Sequence, residues 1–376
     1  MAKEKASGSG ARVNKDADSL LRLGLPITNK EVRKLQTDIE NINIDLGSKR
    51  KAAALDGVKK VKTQLVSNNK ALTSMVNACR PDAKCETFVQ NMDPLLSELS
   101  LKIAASQDAF TGSEQERTAI DGAYKAWNTL QQELTNLEEG MVPAGYRTPV
   151  PSEYSDLPQL QGRATVEFVI KKGPDTVGVF NINGNNYPEA KMTMVIDGYV
   201  APITGGNFIE LVQKGFYNNM NIQRSDGFVV QTGDPDGEAV GYTGGTPSKA
   251  VGAGPKGERL VPLEIMPLKD YPGQEALYER NIDEDGRGGE ATVLPFSSYG
   301  AMGWAREEYS PNSGSSQFFW LLFDSDLTPA GKNLLDGNYP CFGYVVKGAD
   351  FLQDVKEGDI ITSAKVTQGV NNLKLP

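Results

Sequence analysis

The 376-residue chain contains no histidine. That excludes Ser-His-Asp and Cys-His nucleophile systems and removes the commonest zinc ligand, leaving any zinc site to scattered cysteines and carboxylates. Cysteine is scarce as well, with three in all. Cys79 and Cys85 lie close together in CRPDAKC, a spacing compatible with a disulfide in an oxidising compartment or with two free thiols. Cys341 sits in the apolar run PCFGYVV and reads as a small core residue. Cations are in deficit, with Lys+Arg 39 against Asp+Glu 48 and a formal charge of -9. That balance argues against nucleic acid or an anionic membrane as the main partner. No apolar run approaches the ~20 residues that span a bilayer, and no signal-peptide core opens the chain. A soluble protein is expected, with any targeting segment already removed, and with neither metal nor cofactor.

What is present divides into halves of different period. Residues 1–13 are rich in Gly, Ser and Lys and are expected to be a disordered arm. From 14 to 140 the pattern is helical. Thr28-Asn-Lys-Glu31 reads as a capping box ahead of a face carrying Val32, Leu35, Ile39 and Ile42. A second face carries Val58, Val61, Leu65, Leu72 and Val76. Asp93-Pro94 reads as an N-cap with a first-turn proline, opening a helix with Leu95, Leu96 and Leu99. Ser113-Glu-Gln-Glu116 is a second capping box, followed by a stripe from Ile120 through Trp127 to Leu137 that ends near Gly140. Four such segments predict an antiparallel bundle whose stripes form its own core. Residues 141–163 hold Pro143, Pro149, Pro151 and Pro158 and read as a linker. Beyond it, 164–171, 191–198, 227–234 and 341–348 read as short strands, with a helix at 205–215. The fold class expected is an all-α bundle followed, over 164–376, by a closed antiparallel β-barrel with flanking helices.

Several motifs carry less than they suggest. Gly252-Ala-Gly-Pro-Lys-Gly257 matches a phosphate-binding spacing, but it opens no helix and Pro255 lacks an amide, so a flexible loop is expected. Asn281 to Gly286 resembles the start of a calcium loop, yet Thr292 stands where the bidentate glutamate belongs. Glu307-Glu308 and Asp324-Ser-Asp326 read as surface charge.

Four blocks in the C-terminal half occur in a telling order: APITGGNF (201–208), QRSDGFVVQTGD (223–234), AMGWAR (301–306) with NSGSSQFF (312–319), and LLDG (334–337) with CFG (341–343). Over about 165–370 the chain resembles the cyclophilins, peptidyl-prolyl isomerase barrels. The resemblance assigns Arg224 as the donor that stabilises the localised nitrogen lone pair and Gln231 as a catalytic backbone anchor. It assigns Phe228, Val229, Phe319, Leu334, Leu335 and Tyr339 to the proline slot, and Ala305 to binding of the substrate backbone. Rotation about the peptide bond faces ~18–20 kcal/mol. An apolar slot and a fixed cation suffice for that chemistry, so the missing histidine is no obstacle.

The departures from the family bear on turnover. Arg224 and Phe228 stand one residue closer than usual, and Gln223 replaces a common histidine. Val229 replaces a methionine, Leu334 a tryptophan and Tyr339 a histidine. The altered rim predicts weak isomerisation with binding retained. Together with the helical half (SLLRLGLPITNKEVRKLQ) and the Pro-rich linker, the chain resembles the large thylakoid-lumen cyclophilins of plants and algae, whose helical domain is PsbQ-like. That resemblance implies a mature lumenal form, at most peripheral to the thylakoid membrane. It also implies a chaperone or scaffold that binds lumen-exposed segments of photosystem II subunits during assembly and maintenance. Two other readings are an active isomerase with Arg224 catalytic, and a regulatory protein, with the bundle masking the barrel's pocket, acting on a thylakoid phosphatase.

Overall fold

The computed structural model describes residues 13–174, 176, 178–269, 271–323 and 333–376. Most of the expected N-terminal arm, and the pair Asp324 and Asp326, lie outside those residues. Among the described residues the helices are α1 (Ala17–Leu23), α2 (Lys30–Gly47), α3 (Lys51–Lys62), α4 (Asn69–Asn77), α5 (Cys85–Asp108), α6 (Glu114–Met141) and α7 (Pro202–Gln213). None is long and apolar enough to cross a membrane. The chain forms two compact units, Leu25–Tyr146 on one side and residues to Gly24 with Arg147–Pro376 on the other.

In the helical unit α2 buries Val32, Leu35, Ile39 and Ile42 completely, as their spacing predicts. Its N-cap is Asn29 rather than Thr28, because the Asn29 side chain accepts the Glu31 and Val32 amides. The second predicted face is broken: a π-helical turn at Thr63–Ser67 and Asn68 separate α3 from α4. That rotates the stripe, so Ala71 and Met75 are buried in place of Leu72 and Val76. Pro94 does not begin a helix but lies inside α5. Proline forfeits one ladder bond there. The apolar face through Val89, Met92, Leu96, Leu99 and Ile103 continues across it, with α5 packed along α6. Ser113 caps α6 as expected, accepting the Glu116 amide at 3.1 Å, while Glu116 reaches back to the Gly112 amide. Cys79 and Cys85 are joined in a disulfide.

The second unit takes in two stretches that sequence pattern assigned elsewhere. Helix α1 belongs here and not to the bundle: Leu20 and Leu21 are buried among Val200, Leu294 and Phe296. Arg163 donates to the Leu21 carbonyl, and the Tyr271 hydroxyl to that of Gly24 at 2.7 Å. From Arg147 the Pro-rich stretch is also part of this unit, and Tyr154, Leu157 and Leu160 are buried in its core. A short strand β1 (Gln159–Leu160) even pairs with the last strand, β14 (Leu373–Lys374). Prolines exclude helix there but not docking of the apolar residues between them.

Between these lie β2 (Arg163–Lys171), β3 (Phe180–Ile182), β4 (Asn185–Tyr187), β5 (Ala190–Asp197), β6 (Met220–Ser225), β7 (Val229–Thr232), β8 (Glu264–Ile265), β9 (Leu277–Tyr278), β10 (Ala301–Trp304), β11 (Phe318–Leu321), β12 (Cys341–Lys347) and β13 (Ile360–Gln368). Among the described residues, a closed barrel runs β10-β11-β7-β6-β13-β2-β5-β12, with every pairing antiparallel. The two-residue period sorts its side chains. Val166, Phe168, Met192, Met194, Val230, Phe318, Trp320 and Phe342 fill the interior with Phe208 and Leu211 of α7. Val229, Phe319, Leu321 and Tyr344 lie in a separate cluster, against segments that include Met266 and Val293–Phe296.

α7 has no side-chain cap of its own. The buried Glu264 carboxylate caps it, accepting the Ile203 and Thr204 amides at 3.1 and 2.8 Å. A buried Arg259–Glu210 ion pair also ties α7 to the long connection before β10.

Candidate active site

Strand register brings the predicted site residues together. Arg224 on β6 stands opposite Gln231 on β7, Gln231 opposite Phe319 on β11, and Phe319 opposite Gly303 on β10. Directly opposed residues share a face, so these four make one row across the outer surface of the barrel. Arg224 reaches that row only through an irregularity. Ile222 points inward, and strict alternation would turn Arg224 inward too. The register shifts between Ile222 and Arg224, and the extra residue, Gln223, restores Arg224 to the outer face.

Phe319 lies over a residue with no side chain: a Cβ on Gly303 would come within 2.1 Å of its ring. Phe296 stacks on Phe319 with centroids 5.8 Å apart and planes at 19°, and Tyr339 meets it edge-on at 6.0 Å. Phe296 is pinned by its amide bond to Asp336 at 2.6 Å. So enclosed, Phe319 is only 5% exposed. Val229 is buried in the same cluster, and Leu335, Ala305 and Tyr339 are half-buried against it. Phe228 is 37% exposed, its ring 5.4 Å from that of Phe323. Leu334, in the place of the family's tryptophan, is 86% exposed and walls nothing.

The polar members are tied to one another. Gln231 donates to the Gln317 side-chain oxygen at 2.8 Å, and Gln317 donates to the Val240 carbonyl at 3.0 Å. The Gln317 carbonyl accepts the Ala305 amide at 3.0 Å, placing Ala305 beside the row. Arg224 is 53% exposed, with its Nε donating to Asp226 Oδ2 at 2.7 Å. The other oxygen of Asp226 accepts the Phe228 and Val229 amides at 2.9 and 3.0 Å. Partial burial pushes the Asp226 carboxyl up. The two amides and the Arg224 guanidinium outweigh that and hold it below the usual carboxylate range. The Arg306 guanidinium lies over the Tyr339 ring at 4.8 Å and donates to the carbonyls of Glu307, Glu308 and Asn338. Burial pushes the Cys341 thiol far up, consistent with an inert core residue.

Gln317, Asp226, Phe296 and Arg306 were not singled out from sequence as site residues. Gln317 lies two positions before Phe319 and could have been found by alternation, as the next outward-facing residue of that strand. Phe296 lies only a few positions before the AMGWAR block, but in a loop with no periodic pattern to mark it.

The other motifs are occupied internally. In the Gly252–Gly257 loop the amides of Gly254, Lys256 and Gly257 bond within the loop or to Glu258, so they are already engaged. Asp285 of the acidic loop pairs with Arg280 at 2.9 Å and Arg287 at 3.6 Å. Among the described residues no group of three or more His, Cys, Asp or Glu is placed to hold a metal ion.

The model of the family described as cyclophilin type peptidyl-prolyl cis-trans isomerase/CLD matches residues 179–374. A second model, the PsbQ-like domain of CYP38-like peptidyl-prolyl cis-trans isomerases, matches residues 16–142 and so takes in α1, which packs with the barrel. The chain is 37% identical over 366 residues to the chloroplastic peptidyl-prolyl cis-trans isomerase CYP38 of Arabidopsis thaliana, covering 96% of this chain and 76% of that protein. It is 36% identical over 361 residues to a Synechocystis protein named as a thylakoid lumen peptidyl-prolyl cis-trans isomerase, covering 95% of this chain and 84% of the relative. With the chloroplastic isomerase CYP37 of Arabidopsis thaliana it shares 35% identity over 229 residues, 60% of this chain and 44% of that protein. The chain belongs to the cyclophilin-type peptidyl-prolyl cis-trans isomerases, among those whose barrel is preceded by a PsbQ-like helical domain.

Proposed function

We propose that this protein works in the thylakoid lumen as a cyclophilin-type chaperone. It holds proline-containing, lumen-exposed segments of photosystem II subunits during assembly and maintenance, and isomerises them slowly. The lumenal and chloroplastic names of its relatives and its PsbQ-like domain support the location and the kind of client. One observation carries the preference for holding over turnover. The row Arg224, Gln231, Phe319, Gly303 is assembled, while Phe319 is stacked under Phe296 and Arg224 is paired with Asp226. Catalysis requires interactions stronger in the transition state than in the ground state. A largely covered ring and a paired cation leave binding contacts but little that grows as the peptide bond twists.

The test pairs two measurements on the full chain: affinity for a prolyl peptide from a lumenal loop, and its cis-trans exchange rate by NMR. Measurable affinity with exchange near the uncatalysed rate is expected. Turnover at the level of an ordinary cyclophilin overturns the holding role in favour of an active isomerase with Arg224 catalytic. Absence of binding removes the site altogether.

A further inference from the structure

The turn between β6 and β7 contains a carboxylate with two separate tasks. Asp226 Oδ1 accepts the amides of Phe228 and Val229 and so shapes a tight turn in which Gly227 has φ 83°. Asp226 Oδ2 takes the Arg224 guanidinium, through Nε at 2.7 Å and through a terminal nitrogen as well. Because the oxygens are divided in this way, the turn does not depend on the negative charge. Any neutral side chain with one correctly placed oxygen could hold it.

We propose that Asp226 is a positioning residue that clamps Arg224 and withholds its charge from a bound prolyl peptide bond. This deepens the reading of the barrel as a prolyl-peptide site and rests on it. Twisting of the peptide bond localises a lone pair on the proline nitrogen, and a cation stabilises that state only as far as its field is not cancelled nearby. With Asp226 ionised, the pair is neutral overall and two of the guanidinium's donor nitrogens face the wrong group. The carboxyl is held below the usual range by its amide bonds as well as by Arg224, so the clamp persists at neutral pH. Ground-state contacts to Phe319 and Gln231 are untouched. The clamp therefore suppresses turnover without suppressing binding.

The test is Asp226→Asn in the full chain, with the Asn oxygen retaining the two amide bonds; unchanged Phe228 and Val229 amide resonances verify the turn. A prolyl tetrapeptide is the probe. The expected result is a rise of up to about fivefold in catalysed cis-trans exchange, the upper end for releasing a surface ion pair, with peptide Kd changed less than about twofold. Adding Arg224→Ala returns the rate to that of the unmodified protein. Should Asn disturb the turn, Asp226→Ser supplies the oxygen in a smaller side chain. An unchanged exchange rate with binding intact overturns the clamp but leaves the binding role standing. A gain that survives Arg224→Ala also overturns it. Loss of peptide binding in the unmodified protein sinks both.

Discussion

Reducing the Cys79–Cys85 bridge should loosen the helical unit by an amount that can be worked out. The bridge closes a loop with a sequence separation of 6. In the chain-entropy description, releasing a loop that short restores about 7 cal/mol/K to the unfolded chain, or about 2 kcal/mol at room temperature. The unit Leu25–Tyr146 has roughly 120 residues, and at about 2.1 cal/mol/K per residue its unfolding entropy makes that a Tm decrease of about 8 °C. The bridge also sets a second contact. Arg80, inside the loop, donates to the Glu139 and Val142 carbonyls at 2.7 Å each, and its amide to the Gly140 carbonyl at 2.8 Å, closing the end of α6. Reduction should free Arg80, so Arg80→Ala should cost stability in the oxidised protein and much less in the reduced one. The assay is thermal unfolding followed by the helical circular-dichroism signal, with and without reductant, alongside a thiol count. Two newly titrating thiols with an unmoved midpoint would refute the reasoning.

Glu210→Gln leaves the buried Arg259 without its charge partner, and should cost about 3–5 kcal/mol in urea unfolding; a loss under about 1 kcal/mol argues that Arg259 is satisfied by Asn207 alone. Burial raises the Glu264 carboxyl against the amide bonds and the Tyr278 hydroxyl that lower it. A raised folded value means its contribution is fully present below 4.5 and is lost as pH climbs from there through the higher folded value. The stability of the unmodified protein relative to Glu264→Gln should therefore fall as pH rises from there, and a difference independent of pH contradicts the assignment. Phe319→Ala should weaken prolyl-peptide binding about 30-fold, the usual loss for an aromatic anchor. Equal affinity by fluorescence polarisation would move the binding site elsewhere.

Much of this was legible in the sequence because it depends on period. The alternation over 164–171 and 191–198 recurs in β2 and β5, offset by a single residue. The buried face of α2 is the one its spacing names. What could not be read depends on position in space. Pro94 punctuates a sequence, yet the contacts of α5 along α6 outweigh one lost ladder bond. Leu20 and Leu21 continue a helical pattern, but their burial is against residues nearly two hundred positions away and more. Within the site, family order named Arg224, Gln231 and Phe319. It gave no sign of the register shift at Gln223 that makes them neighbours, or of Phe296 lying on the slot.

The residues that depart from the family pattern fall in two places, Gln223 and Val229 on β6 and β7, and Leu334 and Tyr339 in the connection before β12. Phe319, Gln231 and Gly303 lie on strands, where ladder bonds on both sides fix each side chain's position. Asp226 and Leu334 lie in turns, as does the Glu307–Ser310 stretch folded about Arg306. A substitution on a central strand would shift the barrel's own packing, whereas one in a turn changes only what is presented at the rim. Under the holding role proposed above, binding an extended prolyl segment draws on the strand row. Accelerating its rotation draws on the free charge of Arg224 and an open rim, and the turns govern both. On that reading, holding and turnover are carried by different parts of one surface, and turnover is attenuated from the turns while the row stays as the barrel fixes it.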